Sequence, residues 1–465
     1  MGFVNRVTEL SALDSWHERR GPHLGVVWGR RRVGKTYLLS HWARNRRAIF
    51  HVARNRPLAD ELTALSAAAA PVLDLPMRNL GTRPFVSWDD AFETFAEAAT
   101  ERPLVVVIDE FPELLLANPG LESALRAIWE RMGDRRLRLI LCGSAVRSME
   151  MLQQERAPLF GRATLRMHVR PFAPHEAALM LGGLTPAKRA EAWGVCGGSP
   201  FYLSLWDTKA TTTENLYRLF GTEQGMLLNE GQLILATEDF AGGRRERIPE
   251  QVLRAIAAGR TRFAEIKQQL GADPTRALAS LQELDLIERM LPVGRNADPR
   301  RAYYRVADNF LAFWLSAVEP HRPAISQRLG SGVAKVLAAQ LDDFMGERWE
   351  EAFRAHLVHA LAEDERVQPL VELGRFWKQY GSDPGELDAV GLTGRERRLT
   401  LAGEAKWARR EDGRRLLRTL HQKVLASGLA PADAPEPVYA LCARDEVTGD
   451  LPPETLVVTA ADIFG

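Results

Sequence analysis

The stretch that decides the fold is Gly29-Arg30-Arg31-Arg32-Val33-Gly34-Lys35-Thr36, which fits the pattern G-x-x-x-x-G-K-[ST]. An apolar run, Leu24 to Trp28, precedes it, and Tyr37 to Arg44 has a helical pattern. In such a strand–loop–helix the backbone N–H groups wrap a β-phosphate, Lys35 reaches the β- and γ-phosphates, and the Thr36 hydroxyl binds Mg²⁺. The sequence therefore predicts a nucleotide site that takes ATP and Mg²⁺ as cofactors, rather than a chance Gly-Lys-Thr turn.

A second apolar run ends in two acids. Leu104 to Ile108 has no polar residue, and Asp109 and Glu110 follow it directly. The first acid is predicted to help hold the Mg²⁺ ion that Thr36 binds. The second acid is predicted to orient the attacking water. P-loop kinases usually lack the second acid, so the pair favours hydrolysis over transfer to a substrate. A buried strand followed by an acidic turn is the alternative.

Two more polar residues flank predicted strands. Ser144 follows the strand Leu137 to Cys142, where a sensor of the γ-phosphate or of the attacking water would lie. A plain turn serine is the alternative. Arg162 precedes the strand Thr164 to Val169 and is predicted to act as an arginine finger, which contributes about 10³ to 10⁵ in rate. An ordinary surface arginine is equally consistent, and action in trans would require a homo-oligomer.

Composition limits the class of protein. The chain has 465 residues, of which 46% are hydrophobic and 26% charged, so wholesale disorder is excluded. Its 61 basic and 60 acidic residues leave a net charge of +1, which gives no global attraction to nucleic acid or to an anionic membrane. Three widely spaced cysteines and the absence of a long apolar run predict a soluble, cytoplasmic protein with no membrane partner.

A helical region with a basic loop is the first candidate for DNA contact. Three predicted helices, Glu250–Ala258, Phe263–Leu270 and Pro274–Leu284, precede two strands, which is a winged helix-turn-helix order. The loop between the strands carries Arg295, Arg300 and Arg301. The basic helix predicted from Arg409 to Lys423 is the second candidate. A protein-contact or intramolecular role for the first, and a solvated face for the second, remain open.

Three acids and a lysine near the end of the chain form a second constellation. Glu350 lies on a predicted helix, Asp388 begins an apolar strand, and Glu404 and Lys406 share one face of another strand. Such acids bind Mg²⁺, and the lysine positions its water or stabilises charge on a phosphate. This predicts a phosphodiesterase site with Glu350, Asp388 and Glu404 as metal ligands. A surface ion pair, or a site that binds without cutting, is the alternative.

The motifs of residues 1–235 resemble the archaeal-type ATPase family, which are AAA+-related, STAND-like P-loop ATPases. They occur in the order Phe3–Leu10, Gly29–Thr36, Ile108–Glu110, Leu141–Ser144, Leu159–Arg162 and Gly197–Pro200. Asn5 stands where the family usually has Gly, but Arg6 stays in register. The resemblance implies that Arg6 belongs to the nucleotide site and that Gly197–Pro200 reads nucleotide state. The C-terminal constellation resembles the PD-(D/E)xK nuclease fold that often accompanies such ATPases.

These observations predict an α/β protein: a P-loop parallel sheet with a helical lid, then a winged helix-turn-helix, then an α/β restriction-endonuclease-like domain. The predicted domains are residues 1–172, 173–240, 241–325 and 326–465. The leading hypothesis is an ATP-hydrolysing switch that controls a metal-dependent nuclease acting on DNA. The alternative is a nucleotide-gated regulator that binds DNA or protein through an inactive nuclease fold. A P-loop kinase is disfavoured by Glu110 and the lid.

Overall fold

The computed structural model describes residues 2–75, 78–237, 248–294, 301–378, 384–430 and 435–465. The chain divides into two compact units, Met1–Arg170 and Pro171–Gly465. The domain boundaries predicted at 172, 240 and 325 stay predictions. Arg295 and Arg300 of the predicted wing loop lie outside the described residues. Within the described ranges, no helix combines the length and the apolarity needed to cross a membrane.

The first unit is a parallel sheet covered by helices. Its strands are β1 (His23–Trp28), β2 (Ala48–Val52), β3 (Leu104–Asp109), β4 (Leu137–Gly143) and β5 (Ala163–His168). Its helices are α1 (Val7–His17), α2 (Lys35–Ala43), α3 (Leu58–Ala69), α4 (Trp88–Ala98), α5 (Phe111–Ala117), α6 (Leu121–Glu130) and α7 (Val146–Met151). The strand order is β2-β3-β4-β1-β5, and every pair is parallel.

Two hydrophobic cores lie on the two faces of this sheet. Along β3, Leu104, Val106 and Ile108 belong to one core, while Val105 and Val107 belong to the other. Successive side chains of a strand point to opposite faces, so a strand buried on both faces must be apolar throughout. This explains the unbroken apolar run in the sequence. It also brings the carboxyl ends of β1, β3 and β4 to one edge of the sheet.

The second unit begins with short helices. They are α8 (Pro174–Ala178), α9 (Pro186–Cys196), α10 (Pro200–Ser204), α11 (Thr212–Phe220) and α12 (Glu230–Thr237). Gly198 joins α9 to α10 and lies against the chain at Phe172. A Cβ atom at Gly198 would lie 2.0 Å from the Phe172 carbonyl oxygen, and the Phe172 N–H donates to the Gly198 carbonyl at 2.7 Å. Only glycine fits this approach.

Three helices and a two-stranded antiparallel sheet follow, in the order expected of a winged helix. They are α13 (Ile248–Ala257), α14 (Phe263–Leu270), α15 (Thr275–Glu283), β6 (Ile287–Met290) and β7 (Tyr303–Val306). Further helical elements are α16 (Asn309–Phe313), a π-helix (Trp314–Val318), a 3-10 turn (Glu319–His321), α17 (Arg322–Ser326), α18 (Gly330–Ala339) and α19 (Leu341–Ala360).

The chain ends in a mixed sheet with helices. Its elements are β8 (Leu370–Phe376), β9 (Leu387–Thr393), β10 (Arg398–Lys406), β11 (Arg410–Asp412), α20 (Gly413–Ser427), β12 (Val438–Ala443), β13 (Glu446–Thr448), β14 (Leu456–Val458) and α21 (Ala460–Phe464). The main sheet has the order β14-β12-β10-β9-β8, with β9 antiparallel to both neighbours and β12 parallel to β10. The buried side chains of α9, α16 and α19 share one core, so these parts of the second unit pack together.

Candidate functional site

The loop between β1 and α2 adopts the backbone that a phosphate cradle needs. Gly29 and Gly34 have φ angles of 150° and 90°, which favour glycine. A Cβ atom at Gly29 would lie 2.2 Å from the Val169 carbonyl oxygen. Lys35 begins α2, and its Nζ atom donates to the carbonyls of Gly29 and Arg30 at 2.8 and 3.0 Å. The loop is therefore wound around the lysine ammonium at the positive end of a helix.

Burial changes the chemistry of this lysine. It lowers the pKa of Lys35, against the opposing effects of Cys142, Glu110 and Asp109. Cys142 is fully buried on β4, and burial raises the pKa of its thiol well above the usual value. Cys142 was not predicted to belong to this site, although its position directly before Gly143-Ser144 is a signal for it. Triphosphate charge at the loop would favour the ammonium form of Lys35.

Thr36 and Asp109 are in direct contact. The Thr36 hydroxyl donates to Asp109 Oδ2 at 2.5 Å, and Asp109 is buried at the end of β3. A hydroxyl and a carboxylate are the hard oxygen donors that Mg²⁺ prefers. The two residues therefore fit as the side chains that would hold a Mg²⁺ ion at this loop.

Glu110 and Ser144 form a second pair at the same edge. The Ser144 hydroxyl donates to the Glu110 carboxylate, with Oγ at 3.0 and 2.9 Å from its two oxygens, and the Ser144 N–H donates at 3.2 Å. The strand order explains the contact, because β4 lies between the strands that carry the loop and the two acids. Glu110 itself has a left-handed backbone, with φ 54°. The hydroxyl thus holds the carboxylate that is predicted to orient water.

Arg6 supports the phosphate loop from the N-terminal segment. It is 4% exposed, and its guanidinium donates to the Val33 carbonyl at 2.8 Å and to Glu9 Oε1 at 2.7 Å. A guanidinium presents several N–H groups in a fixed fork, so one side chain can hold the loop and the first helix together. Asn5 and Arg6 both have left-handed φ angles, 56° and 64°. The local turn is therefore kept although Asn5 replaces the glycine expected there.

Arg162 lies at the opposite edge of the sheet from the phosphate loop. It precedes Ala163, which pairs with Leu24 at the start of β1, whereas the loop follows Trp28 at the end of β1. Five to six strand residues at about 3.3 Å each separate the two edges. Arg162 NH2 is 2.6 Å from Glu130 Oε1. Contact with the phosphates bound by the same chain is excluded, so a finger role would require a second copy.

In the C-terminal sheet Asp388 and Glu404 lie on adjacent antiparallel strands. The register pairs Ala389 with Gly403, which puts Asp388 opposite Glu404. Both are buried, at 4% and 1% exposure, and Asp388 Oδ2 accepts from the Ala405 N–H at 3.0 Å. The two acids that were predicted to bind one metal ion therefore lie side by side on paired strands.

Two lysines bind the Glu404 carboxylate. Lys406 Nζ is 2.7 Å from Oε1, and Lys423 Nζ is 2.5 and 2.7 Å from the two oxygens. Burial lowers the pKa of Lys406, but Glu404 and Asp388 outweigh it and leave the pKa raised. Lys423 comes from α20, three residues after the buried Leu420, so its inward position could have been predicted from helical spacing. The sequence left open whether Lys423 contacts DNA or lies on a solvated face; in the structure it binds Glu404.

Glu350 on α19 completes the acids of this region. Burial and the Asp388 charge raise the pKa of Glu350 to about 8. Its Oε2 atom is buried and, in the part of the chain the structure describes, accepts no hydrogen bond; Arg375 and Arg354 approach it at 3.3 and 3.8 Å. Arg354 also donates to the Asp388 carbonyl at 2.7 Å. These two arginines were missed in the sequence because they lie far from the D…E-x-K pattern.

The three carboxylates are the type of ligand that a divalent cation prefers, but the ammonium groups of two lysines already bind Glu404. Three carboxylates, one with an unbonded buried oxygen, are suitable donors for Mg²⁺. Across residues 2–75, 78–237, 248–294, 301–378, 384–430 and 435–465, however, no three His, Cys, Asp or Glu side chains are grouped closely enough to hold a metal. Glu350, Asp388 and Glu404 would therefore have to move closer together, and Lys423 or Lys406 would have to leave Glu404, before the three acids could share an ion.

Most of the basic residues from 409 to 423 pair with acids. The pairs, with their N···O distances, are Arg409–Asp445 at 3.5 Å, Arg410–Glu446 at 2.7 Å, Arg414–Asp450 at 3.3 Å and His421–Glu436 at 3.7 Å. The helix also begins at Gly413, later than predicted, with Arg410 in β11. On the three-helix unit, by contrast, Lys267, Arg276 and Gln282 are exposed.

A phosphate loop, a strand-end Thr–Asp pair and a Glu held by a serine on the intervening strand define the class: this is a P-loop ATPase fold. Residues 3–205 match the family described as an ATPase domain predominantly from Archaea, and residues 314–416 match archaeal and bacterial proteins of unknown function, DUF234. The chain thus carries an ATPase domain of the archaeal-type family followed by a DUF234 domain.

Individual relatives are similar over long stretches. The uncharacterized protein MJECL04 of Methanocaldococcus jannaschii is 24% identical over 449 residues, which cover 95% of each chain. The Walker-type ATPase PABY2304 of Pyrococcus abyssi has a TM-score of 0.52 and 21% identity, covering 67% of this chain and 96% of that one. The Aeropyrum pernix ORC2 protein has a TM-score of 0.43 and 15% identity, covering 72% and 96%. The P. abyssi structure confirms the predicted fold of the ATPase part.

Proposed function

We propose that the protein is an ATP-hydrolysing switch whose ATPase domain governs the activity of its C-terminal domain on DNA. The observation that carries the ATPase half is the convergence of four side chains at one sheet edge: the Thr36–Asp109 bond at 2.5 Å and the Ser144–Glu110 bonds at 2.9 and 3.0 Å. Each pair joins residues more than thirty positions apart, so these contacts arise from the fold and not from closeness along the chain.

Each residue has a separate task in this mechanism. The loop N–H groups and Lys35 bind the β- and γ-phosphates, while Thr36 and Asp109 hold Mg²⁺. An ion bound by these two residues would supply positive charge against the charge that develops on the phosphates. Glu110 accepts a hydrogen bond from the attacking water and orients it, with its carboxylate positioned by Ser144. Hydrolysis then releases the γ-phosphate as the signal that changes the state of the switch.

Lys35→Ala and Glu110→Gln separate binding from hydrolysis. We expect the first to lose ATP binding and turnover, because it removes the phosphate-binding ammonium. The second keeps the shape and loses the carboxylate charge, so it should bind ATP and lose about 10²- to 10⁴-fold in turnover. Phosphate release and fluorescent-ATP binding measure the two effects. Wild-type turnover in either variant would refute the site.

For the C-terminal domain we propose a metal-dependent nuclease. Asp388 and Glu404 would hold a divalent cation, which supplies a water of lowered pKa for attack on a phosphodiester. Lys406, on the same face of β10 as Glu404, would stabilise the charge on the phosphate. Asp388→Ala and Lys406→Ala should abolish Mg²⁺- or Mn²⁺-dependent cleavage and leave ATP turnover intact. Absence of cleavage of linear, branched and single-stranded DNA by the wild type would refute this half.

The second candidate is a nucleotide-gated binder of DNA or protein with an inactive nuclease fold. The ion pairs of Glu404 with both lysines favour it, because they satisfy the carboxylate without a metal. DNA retention without cleavage, unchanged by Asp388→Ala, would select this alternative. For the DNA contact itself, Arg276→Ala on α15 should weaken binding and lower the salt slope by about one.

Arg162 connects the ATPase proposal to assembly. Since it lies at the far edge of its own sheet, we propose that it reaches the ATP of a neighbouring copy. Its bond to Glu130 lies at the surface, where water screens the charges, and would be given up easily. Mass measured in solution with and without ATP should show a homo-oligomer with ATP. Turnover that is independent of protein concentration in a monomer would contradict the trans role.

A further inference from the structure

Lys423 is the residue of the C-terminal site that no sequence pattern assigns. It comes from α20, outside the D…E-x-K pattern of β9 and β10, yet it makes the closest contacts to Glu404. Its side chain is 22% exposed, whereas that of Lys406 is 44% exposed and contacts one carboxylate oxygen. Lys423 therefore covers both oxygens of the acid, which are the atoms that a metal ion would need.

The cluster holds as many cations as acids without a metal. The acids are Glu350, Asp388, Glu404 and Glu386, and the cations in contact with them are Lys406, Lys423, Arg354 and Arg375. Adding a divalent cation to this partly buried cluster adds two positive charges that no further acid compensates, which is costly at low dielectric. Binding of the divalent cation becomes favourable when a phosphodiester supplies negative charge, or when a lysine leaves the cluster.

We propose that Lys423 competes with the metal for Glu404, so that a divalent cation binds tightly only when Lys423 transfers its hydrogen bonds from Glu404 to a phosphate of the nucleic acid. This inference rests on the proposed nuclease function and assigns Lys423 as a positioning residue of that site. Metal binding and phosphate binding then assist each other. Lys406 keeps its one bond to Glu404 both when Lys423 binds Glu404 and when Lys423 binds the phosphate.

The test measures Mn²⁺ affinity of the full chain by titration calorimetry and electron paramagnetic resonance, without nucleotide and without DNA. Lys423→Gln removes the competing charge and should tighten Mn²⁺ binding by about fivefold, which is the fold-change equivalent to the roughly 1 kcal/mol of a screened ion pair. Lys423→Arg keeps the charge and should bind Mn²⁺ as weakly as the wild type. Arg418→Gln, exposed on the same helix, is the matched control and should change nothing.

Glu404→Gln identifies the site that is measured. It should abolish the tightened binding in the Lys423→Gln background, and circular dichroism checks that each variant is folded. Equal or weaker Mn²⁺ binding by folded Lys423→Gln would overturn the inference. If wild type cleaves DNA but Lys423→Gln leaves Mn²⁺ affinity unchanged, the competition fails and the nuclease stands. If Mn²⁺ binding tightens but nothing is cleaved, the competition stands and the nuclease fails.

Discussion

Replacing Ser144 with alanine removes the hydroxyl that holds the Glu110 carboxylate. The hydroxyl has one proton and shares it between the two carboxylate oxygens at 3.0 and 2.9 Å, so one charge-assisted hydrogen bond is lost. The Ser144 N–H remains at 3.2 Å and continues to hold one oxygen. A hydrogen bond to a charged group contributes about 1.5 to 3 kcal/mol, and the partly exposed setting favours the lower value. That value corresponds to roughly a tenfold fall in kcat.

The assay is steady-state phosphate release over a range of ATP concentrations. If Ser144 positions the base, kcat falls while KM for ATP stays unchanged, because the substrate is bound by the loop and Lys35. Ser144→Thr keeps a hydroxyl at the same place and should recover most of the rate. A kcat within twofold of wild type would show that Ser144 is a plain turn residue. A raised KM with unchanged kcat would instead indicate direct contact with the γ-phosphate.

Two further predictions concern stability. Arg138→Met should lower the free energy of unfolding by about 2 to 3 kcal/mol. The buried guanidinium donates to three backbone carbonyls at the end of α1 and just after it, and these carbonyls would lose their donors. Urea denaturation measures this, and a change under about 0.5 kcal/mol would contradict it. Gly198→Ala should cost about 1 to 3 kcal/mol through its clash with Phe172, while the exposed Gly182→Ala, with nothing nearby, should be neutral in the same assay.

The ATPase site could be predicted because its geometry is local. A glycine-rich loop between a strand and a helix fixes where Lys35 and Thr36 lie, whatever the rest of the chain does. Asp109 and Glu110 follow from the rule that carboxyl ends of parallel strands meet at one edge. The same rule, applied to Arg162 before its strand, would have put that arginine at the other edge. The residue pattern alone leaves the cis and trans roles of Arg162 open, and the direction of the strand decides between them.

The C-terminal site was harder because its electrostatics are not local. Periodicity put Glu404 and Lys406 on one face, and antiparallel pairing brought Asp388 opposite. Nothing in that pattern shows which cations from other elements arrive at the same carboxylates. Arg375 comes from β8 and Lys423 from α20, and only the packed sheet and helix bring them to Glu350 and Glu404. A motif predicts the acids; their protonation and metal affinity depend on these partners.

This charge arrangement bears on where DNA can bind. Nonspecific DNA affinity depends on cations free to replace counterions at phosphates. Arg409, Arg410 and Arg414 each pair with an acid, and Lys423 is committed to Glu404, so this segment offers less positive potential than its composition indicates. The exposed face of α14 and α15 has fewer cations, but Arg276 forms no ion pair with an acid among the residues that the structure describes. If the protein acts on DNA as proposed, these charges favour recognition by the three-helix unit before phosphate capture at Lys423.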